Sequence, residues 1–497
     1  MKQPPEPDHL PYKIVIGLEV HVQLATRTKL FCRCNTQFGA PPNTQTCPVC
    51  IGLPGALPVM NDEAFRLSLQ TALALNCQIP PSTKWDRKQY YYPDLPKGYQ
   101  ISQYDLPLSH DGFLEIHDSQ QRFESKRVRI RRAHLEEDAG KSIHDERSGT
   151  ADSRIDLNRT GTPLLEIVSE PDMSSALEAR TFLDELKLVL VYQGVSDCNM
   201  QEGSLRVDAN INLHIRDRET WIPTPIVEVK NMNSFRAVER ALEFEADRQF
   251  DVWQETGQRL GDAPKQTRGW DDQAEVTRPQ RGKEESSDYR YFPDPDLVPV
   301  NVSPQQLDQI RRQLGPIPAV LREQLQTQWG LGAYDADVLV NQGPRLVQYF
   351  TQLAEACGDA KEASNWVQQD VMRRLKEQQA EIDAFPVSAA TLAELIRMKQ
   401  AGPLDRSRAR EVFQHMCDHL QSPQQAMTAL GIQQVDTAEL SALCRSLLDK
   451  NPAIVADVKA GKQQAIGSLV GQAKKQNPNV NPAQVKEICL QLIAEMS

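Results

Sequence analysis

The chain has 497 residues, a formal net charge of −11, 25% charged and 40% hydrophobic residues, and ten cysteines. Such a length accommodates about three domains of ordinary size, each with its own core. With no apolar run of eighteen residues it is not a membrane-spanning chain, and its acidic balance excludes non-specific nucleic-acid binding over the whole surface while allowing a local basic patch.

The opening segment Met1-Lys2-Gln3-Pro4-Pro5-Glu6-Pro7 has no apolar stretch of signal-peptide type, so a soluble, cytoplasmic protein is expected. Lys13-Ile14-Val15-Ile16 begins a strand-like run that carries Glu19-Val20-His21. The two-residue period of a strand puts Glu19 and His21 on one face, where they converge on one ion or one proton, or simply bond each other as a structural pair.

Cys32-Arg33-Cys34 and Cys47-Pro48-Val49-Cys50 follow. Two close pairs on short loops fit a tetrahedral four-thiolate cage, and zinc is the expected metal. A chain of this size without a secretion signal disfavours disulfides; packing of the thiols as small apolar groups is the other alternative. A filled cage leaves no position for substrate, so its role is structural.

Asp86-Arg87-Lys88-Gln89-Tyr90-Tyr91-Tyr92-Pro93-Asp94 combines cations, aromatics and an acid, a set suited to gripping carboxylate or phosphate beside a stacked ring, or to ordinary tyrosine packing. Lys126 to Arg132 alternates so that Arg127, Arg129 and Arg131 share a face, either to contact phosphate or to lie in solvent. In His134-Leu135-Glu136-Glu137-Asp138 a continuing strand turns His134, Glu136 and Asp138 one way and Glu137 the other, and periodicity does not choose among the acids. The Gly140-Lys141-Ser142 that follows is no phosphate loop, because Leu135 stands where an earlier glycine is required.

Glu166 lies within Pro163-Leu164-Leu165-Glu166-Ile167-Val168. A buried acid without a metal, a cation or a shared proton does not stay ionised, which marks Glu166 as a candidate. Glu19, His21, one acid of positions 136–138 and Glu166 together make a donor set for a divalent ion. The carboxylates favour magnesium and the imidazole manganese or zinc, so the ligands alone leave the metal open.

Apolar residues recur at helical spacing over Glu178 to Tyr192 and Ala237 to Glu255, between short β-branched runs such as Pro225-Ile226-Val227-Glu228-Val229. Lys283 to Pro293 is a polar and aromatic run. After Tyr291 to Pro299 the composition turns to Gln, Ala, Leu, Glu and Lys, and helices only are expected from Ser303. Starts fall at Ser303-Pro304, Ser388 and Asn481-Pro482, with a break near Ala401-Gly402-Pro403. The fold class is therefore α+β, a mixed sheet-containing domain followed by helices. No nucleophile elbow, complete Walker loop or nucleotide-binding glycine fingerprint is present.

Taken in order, Ile16 to His21, Asp86 to Asp94, Leu135 to Ser142, Asp156 to Asp172, Gly203 to Asn210 and Asp288 to Pro293 resemble one family over almost the whole chain: the B subunit of tRNA-dependent amidotransferases, GatB. The resemblance implies a catalytic cradle domain over 1–298, a helical domain over 299–402 and a YqeY-like tRNA-binding tail over 403–497. It implies ATP-dependent activation of the side chain of Glu-tRNA(Gln) or Asp-tRNA(Asn) as an acyl phosphate, then amination with ammonia from an amidase-like A subunit, a small C subunit completing a heterotrimer. Magnesium would be held by Glu19, His21, Glu137 and Glu166, and structural zinc by Cys32, Cys34, Cys47 and Cys50. Lys88 would act on phosphate or line the ammonia route, with Arg87 and Lys88 contacting ATP. The alternative from another class is a non-catalytic, zinc-stabilised RNA-binding scaffold.

Overall fold

The computed structural model describes residues 11–144, 153–280, 289–401, 404–432, 437–460, 462–477 and 479–495. It divides into two compact units, Met1–Leu321 and Arg322–Ser497. The expectations placed on Met1 to Pro7, on Lys283 to Asp288 and on Gly402-Pro403 lie outside the described residues.

The first unit contains, in chain order, β1 (Tyr12–Gln23), α1 (Asp62–Ala74), β2 (Ser82–Thr83), β3 (Asp86–Gln89), β4 (Tyr99–Ser102), β5 (Ser109–Ile116), β6 (Lys126–Glu137), β7 (Lys141–His144), β8 (Ser153–Asp156) and β9 (Pro163–Ser169). There follow α2 (Ala176–Tyr192), β10 (Leu205–Asp217), β11 (Thr220–Pro223), β12 (Val227–Lys230), α3 (Phe235–Thr256), β13 (Gln266–Asp271), β14 (Val276–Pro279), β15 (Phe292–Pro293), β16 (Val300–Asn301) and α4 (Pro304–Gln313). The main sheet has the order β14-β13-β12-β10-β1-β9-β6-β5, with β11 paired to β10. Its pairings are antiparallel apart from β12 with β13.

Alternation along the central strands separates two faces. Ile16, Leu18, Val20 and Val22 of β1 are buried in the same core as Phe182, Leu186, Val238 and Leu242 of α2 and α3. The intervening Glu19 and His21 turn to the opposite face, as a period of two requires. Both helices start on a serine whose hydroxyl accepts from a backbone N–H three residues on, Ser175 from Glu178 and Ser234 from Ala237. α3 stops at Gly257, which takes the left-handed conformation that glycine tolerates best.

β6 changes phase once. Ile130 pairs with Ser169 and Arg132 with Val168, so Arg131 is an extra residue in that strand. Val128 and Ile130 are buried before this bulge, and Ala133 and Leu135 after it. The bulge thereby turns Arg132, His134 and Glu136 to the face away from the core, the face on which Arg127 and Arg129 are exposed.

A smaller sheet of order β15-β3-β4 brings two distant motifs together: Arg87 pairs with Phe292, and Gln89 N–H donates to Tyr289 O at 2.9 Å. β16 pairs with β2 and α4 packs on α1, which is why residues 299–321 go with the sheet rather than opening a helical domain at 299.

The described elements of the second unit are helical, as the composition shift predicts. The starts expected at Ser303 and Ser388 are capped by serine side chains accepting from Gln306 and Thr391 N–H, and Asn481 accepts from Ala483 N–H at 2.9 Å. Leu440, Cys444, Leu447, Leu469, Val485 and Cys489 belong to a hydrophobic cluster confined to residues 440–493. Among the described residues no helix is long and apolar enough to cross a membrane.

Candidate active site

The outer face of the main sheet carries a row of four polar side chains on four adjacent strands. Arg206 of β10 lies opposite His21 of β1, His21 opposite Glu166 of β9, and Glu166 opposite His134 of β6. Glu136 reaches the same place from two residues along β6. His21 Nε2 lies 3.5 Å from Glu166 Oε2 and 3.9 Å from Glu136 Oε1. His134 Nε2 is likewise 3.5 Å from Glu166 Oε2 and 3.9 Å from Glu136 Oε2.

These groups are largely removed from water, with side-chain exposures of 3% for His134, 5% for Glu136 and 12% for Glu166. Burial pushes the Glu136 carboxyl up to about 7, reinforced by the like charge of Glu166. Burial would raise Glu166 too, but the two imidazoles and Lys88 hold it well below the usual carboxylate range. Burial works against a charge on His21, yet the hydrogen bond and charge of Glu166 outweigh it and raise that imidazole. His134 is pushed down to about 4, mainly by burial. With no metal bound, the surroundings thus favour charge on Glu166 and His21 and disfavour it on Glu136 and His134.

One ligand atom each from His21, Glu136 and Glu166 lie within 4.8 Å of one another, close enough to hold a metal ion. His134 Nδ1 is buried without a hydrogen-bond partner among the described residues. Two buried carboxylates with no hydrogen bond from a lysine or arginine among the described residues are an unfavourable arrangement alone and a fitting one around a divalent cation.

The other site residues expected from the sequence fall in different places. Glu137 turns to the opposite face of β6, where it pairs with Lys97 and accepts from Ile101 N–H at 3.1 Å. Alternation along the strand therefore brings Glu136, and not Glu137, to His21 and Glu166. Asp138 is bound by Gln23 at 2.7 Å and Arg206 at 2.8 Å. Glu19 lies on the cleft face but accepts from Asn210 Nδ2 at 2.9 Å, and its carboxylate is outside the three-residue group. Lys88 lines the cleft, its ammonium 4.7 Å from the Tyr289 ring centre. Burial works against that ammonium, but Glu136, Tyr291 and Glu166 outweigh it and raise its pKa. Arg87 faces away, bonded to Asp294 and Asp296 at 2.7 and 2.8 Å.

Glu19, His21, Lys88, His134, Glu136 and Glu166 border a cleft of about 790 Å³ whose lining extends to Asp208, Glu228, Lys230 and Lys265. The sequence marks Gly203 to Asn210 for the family resemblance but gives Asp208 no site role, although Leu205-Arg206-Val207-Asp208-Ala209-Asn210 alternates so that its polar residues share the sheet face that carries Glu19 and His21. Arg127, Arg129 and Arg131 are paired with Glu115, Asp172 and Glu170, so their charges are already matched within the chain.

The four clustered cysteines form a second centre. Cys32, Cys34, Cys47 and Cys50 each offer a sulfur within 4.8 Å of the others, a group able to hold a metal. The Cys47 N–H donates to Cys50 Sγ at 3.2 Å, and the fully buried Lys29 places its ammonium 3.6 Å from the same sulfur. The Cys32 thiol, the Cys47 N–H and Lys29 lower the Cys50 thiol well below its usual range. A buried lysine against thiolates suits a four-sulfur cage, whose net charge with a divalent metal is negative.

Residues 14–308 match the family described as GatB/GatE catalytic domain, and residues 348–493 match the family described as GatB domain. The B subunit of the aspartyl/glutamyl-tRNA(Asn/Gln) amidotransferase of Rhodopirellula baltica is 60% identical over 486 residues, covering 98% of each chain. The proteins of the same name from Moorella thermoacetica and Thermotoga maritima are 45% and 44% identical, covering 96% and 97% of this chain and 98% and 99% of their own.

Proposed function

The chain belongs to the GatB family, and on that premise we propose that it carries the kinase and amidation site of a tRNA-dependent amidotransferase. Its substrates are Glu-tRNA(Gln), Asp-tRNA(Asn) or both, with ATP as phosphoryl donor. The observation that carries this reading is the buried convergence of His21, Glu136 and Glu166 in a cleft that also holds Lys88.

Amidation needs a leaving group better than hydroxide, which phosphorylation of the side-chain carboxylate provides. His21, Glu136 and Glu166 would hold magnesium, whose charge, when bound, offsets that of the phosphate oxygens. The Lys88 ammonium reaches the same cleft and is suited to pair with phosphate as it transfers. His134 positions Glu166 from the side away from His21, and Asp138 fixes Arg206 next to the row.

Ammonia comes from an amidase-like A subunit, with a small C subunit completing the heterotrimer, and the helical tail holds the tRNA body. The four cysteines would hold zinc, which when bound fixes the 32–50 loops. The test is ATP hydrolysis by the assembled complex that depends on charged tRNA. Glu166→Gln should lower it at least a hundredfold and weaken magnesium binding. Unchanged hydrolysis would leave the chain as an RNA-binding scaffold.

A further inference from the structure

Glu19 differs from every other carboxylate bordering the cleft. Glu136 and Glu166 lie against imidazoles, Asp208 and Glu228 against Lys230. Glu19 has, among the described residues, the neutral Asn210 amide as its hydrogen-bond partner and no lysine, arginine or histidine within 4.0 Å. Donating to Glu19 fixes the Asn210 amide so that its Oδ1, which is buried, has no donor among the described residues. The cation whose charge acts on Glu19, Arg131, is already bound by Glu170, so Glu19 is left without a paired cation and is arranged for a positively charged group of the substrate.

Position identifies that group. Glu19 and His21 are two residues apart on one strand face, about 6.6 Å along β1. In a glutamyl ester the side-chain carboxyl carbon and the α-nitrogen are separated by about 5 Å when extended. A substrate whose carboxylate lies at the His21, Glu136 and Glu166 group is therefore long enough to reach Glu19 with its α-ammonium.

We propose that Glu19, oriented by Asn210, binds the α-ammonium of the aminoacyl ester and holds it away from the activated side chain. The proposal rests on the acyl-phosphate reading above. Its chemical reason is a side reaction. Once the glutamyl side chain is phosphorylated, a free α-amine is a nucleophile within the same molecule, and ring closure benefits from high effective concentration. The nitrogen lone pair would attack the activated carbonyl and form the C–N bond of a five-membered lactam. The carbonyl–oxygen bond to phosphate would break, phosphate would leave with the electron pair, and the nitrogen would lose one proton. A carboxylate beside the nitrogen keeps it as an ammonium with no lone pair to donate and extends the substrate away from the folded geometry that closure requires.

The experiment uses the complex reconstituted with its partner subunits and follows the tRNA-bound product by mass spectrometry. Glu19→Gln should raise KM for Glu-tRNA roughly tenfold and divert part of the product to the pyroglutamyl ester, with more ATP consumed per glutaminyl ester formed. Glu19→Asp should restore part of the loss. Asp-tRNA should give no cyclised product with either enzyme, because closure would form a strained four-membered ring. The wild-type complex needs no variant to test binding: an N-acetylglutamyl ester, which lacks the cation, should show a raised KM. Equal KM for the acetylated and free esters, or Glu19→Gln without raised KM and without lactam, would overturn the proposal. So would a loss of magnesium affinity in Glu19→Gln as large as in Glu166→Gln, which would make Glu19 a metal ligand. If the wild-type complex amidates neither Glu-tRNA nor Asp-tRNA, the functional reading falls first, and this proposal with it.

Discussion

Glu136 and Glu137 are adjacent in the chain, yet their carboxylates serve opposite faces of one strand: Glu136 lies 3.9 Å from His21 and His134, while Glu137 is bound to Lys97. Loss of the first charge should affect chemistry, and loss of the second should affect folding.

Glu136→Gln should therefore lower charged-tRNA-dependent ATP hydrolysis at least a hundredfold while leaving the thermal unfolding midpoint nearly unchanged. Glu137→Gln should do the reverse in its first effect, because it leaves an ammonium only 6% exposed without its counter-charge. Breaking such a buried pair costs about 3–5 kcal/mol. Differential scanning calorimetry beside the hydrolysis assay checks both, and equal loss of activity with equal stability would refute the division of roles.

Metal removal should act locally. Purified protein should contain about one equivalent of zinc per chain, and Cys47→Ser with Cys50→Ser should abolish it. Lys29→Met should weaken zinc retention against a chelator about tenfold, since its ammonium lies 3.6 Å from Cys50 Sγ and offsets the negative charge of the cage. Stronger retention in the lysine variant would mean that the charge argument is wrong.

Much of this site was readable from residue pattern because its chemistry is carried by departures from local type. Glu166 is an acid among apolar neighbours, His21 and Glu19 are polar in an apolar strand, and four cysteines in nineteen residues announce themselves. The choice between Glu136 and Glu137 was not readable, because it depends on the phase of β6 against β9. The bulge at Arg131 leaves no mark in composition. Nor was the Asp208 and Lys230 end of the cleft readable as part of the site, since alternation marks a polar face on β10 but not that β10 pairs with β1 and β12 with β10.

The bulge itself makes a prediction. Deleting Arg131 removes the extra residue and joins Ile130 directly to Arg132, so both keep their partners Ser169 and Val168 on β9 and the two faces stay as they are, while the one-place mismatch passes to β5, where Gly112 and His110 oppose Ile130 and Arg132. The deletion should therefore give a folded chain with His134 and Glu136 still in the cleft and a lowered unfolding midpoint, whereas Arg131→Ala, which keeps the residue count and loses only a surface pair with Glu170, should cost no more than about 1 kcal/mol. Deleting Arg129 instead slips the strand and exchanges its faces, and should abolish soluble expression. Equal behaviour of the two deletion variants would show that the bulge does not set the phase of the strand.

Truncation separates binding of the tRNA body from chemistry. The hydrophobic cluster of residues 440–493 draws its members from that stretch alone, so removing residues 433–497 takes away a self-contained core and exposes little of any other. The truncated chain, assembled with its partners, should keep its unfolding cooperativity and glutamine hydrolysis. It should show a KM for charged tRNA raised about tenfold or more, because phosphate contacts fix register and orientation without touching the reacting group. At saturating tRNA its kcat should approach that of the whole chain, since His21, Glu136, Glu166 and Lys88 all belong to the first unit. A fall in kcat with unchanged KM would instead place the tail in the chemical step and not in holding the substrate.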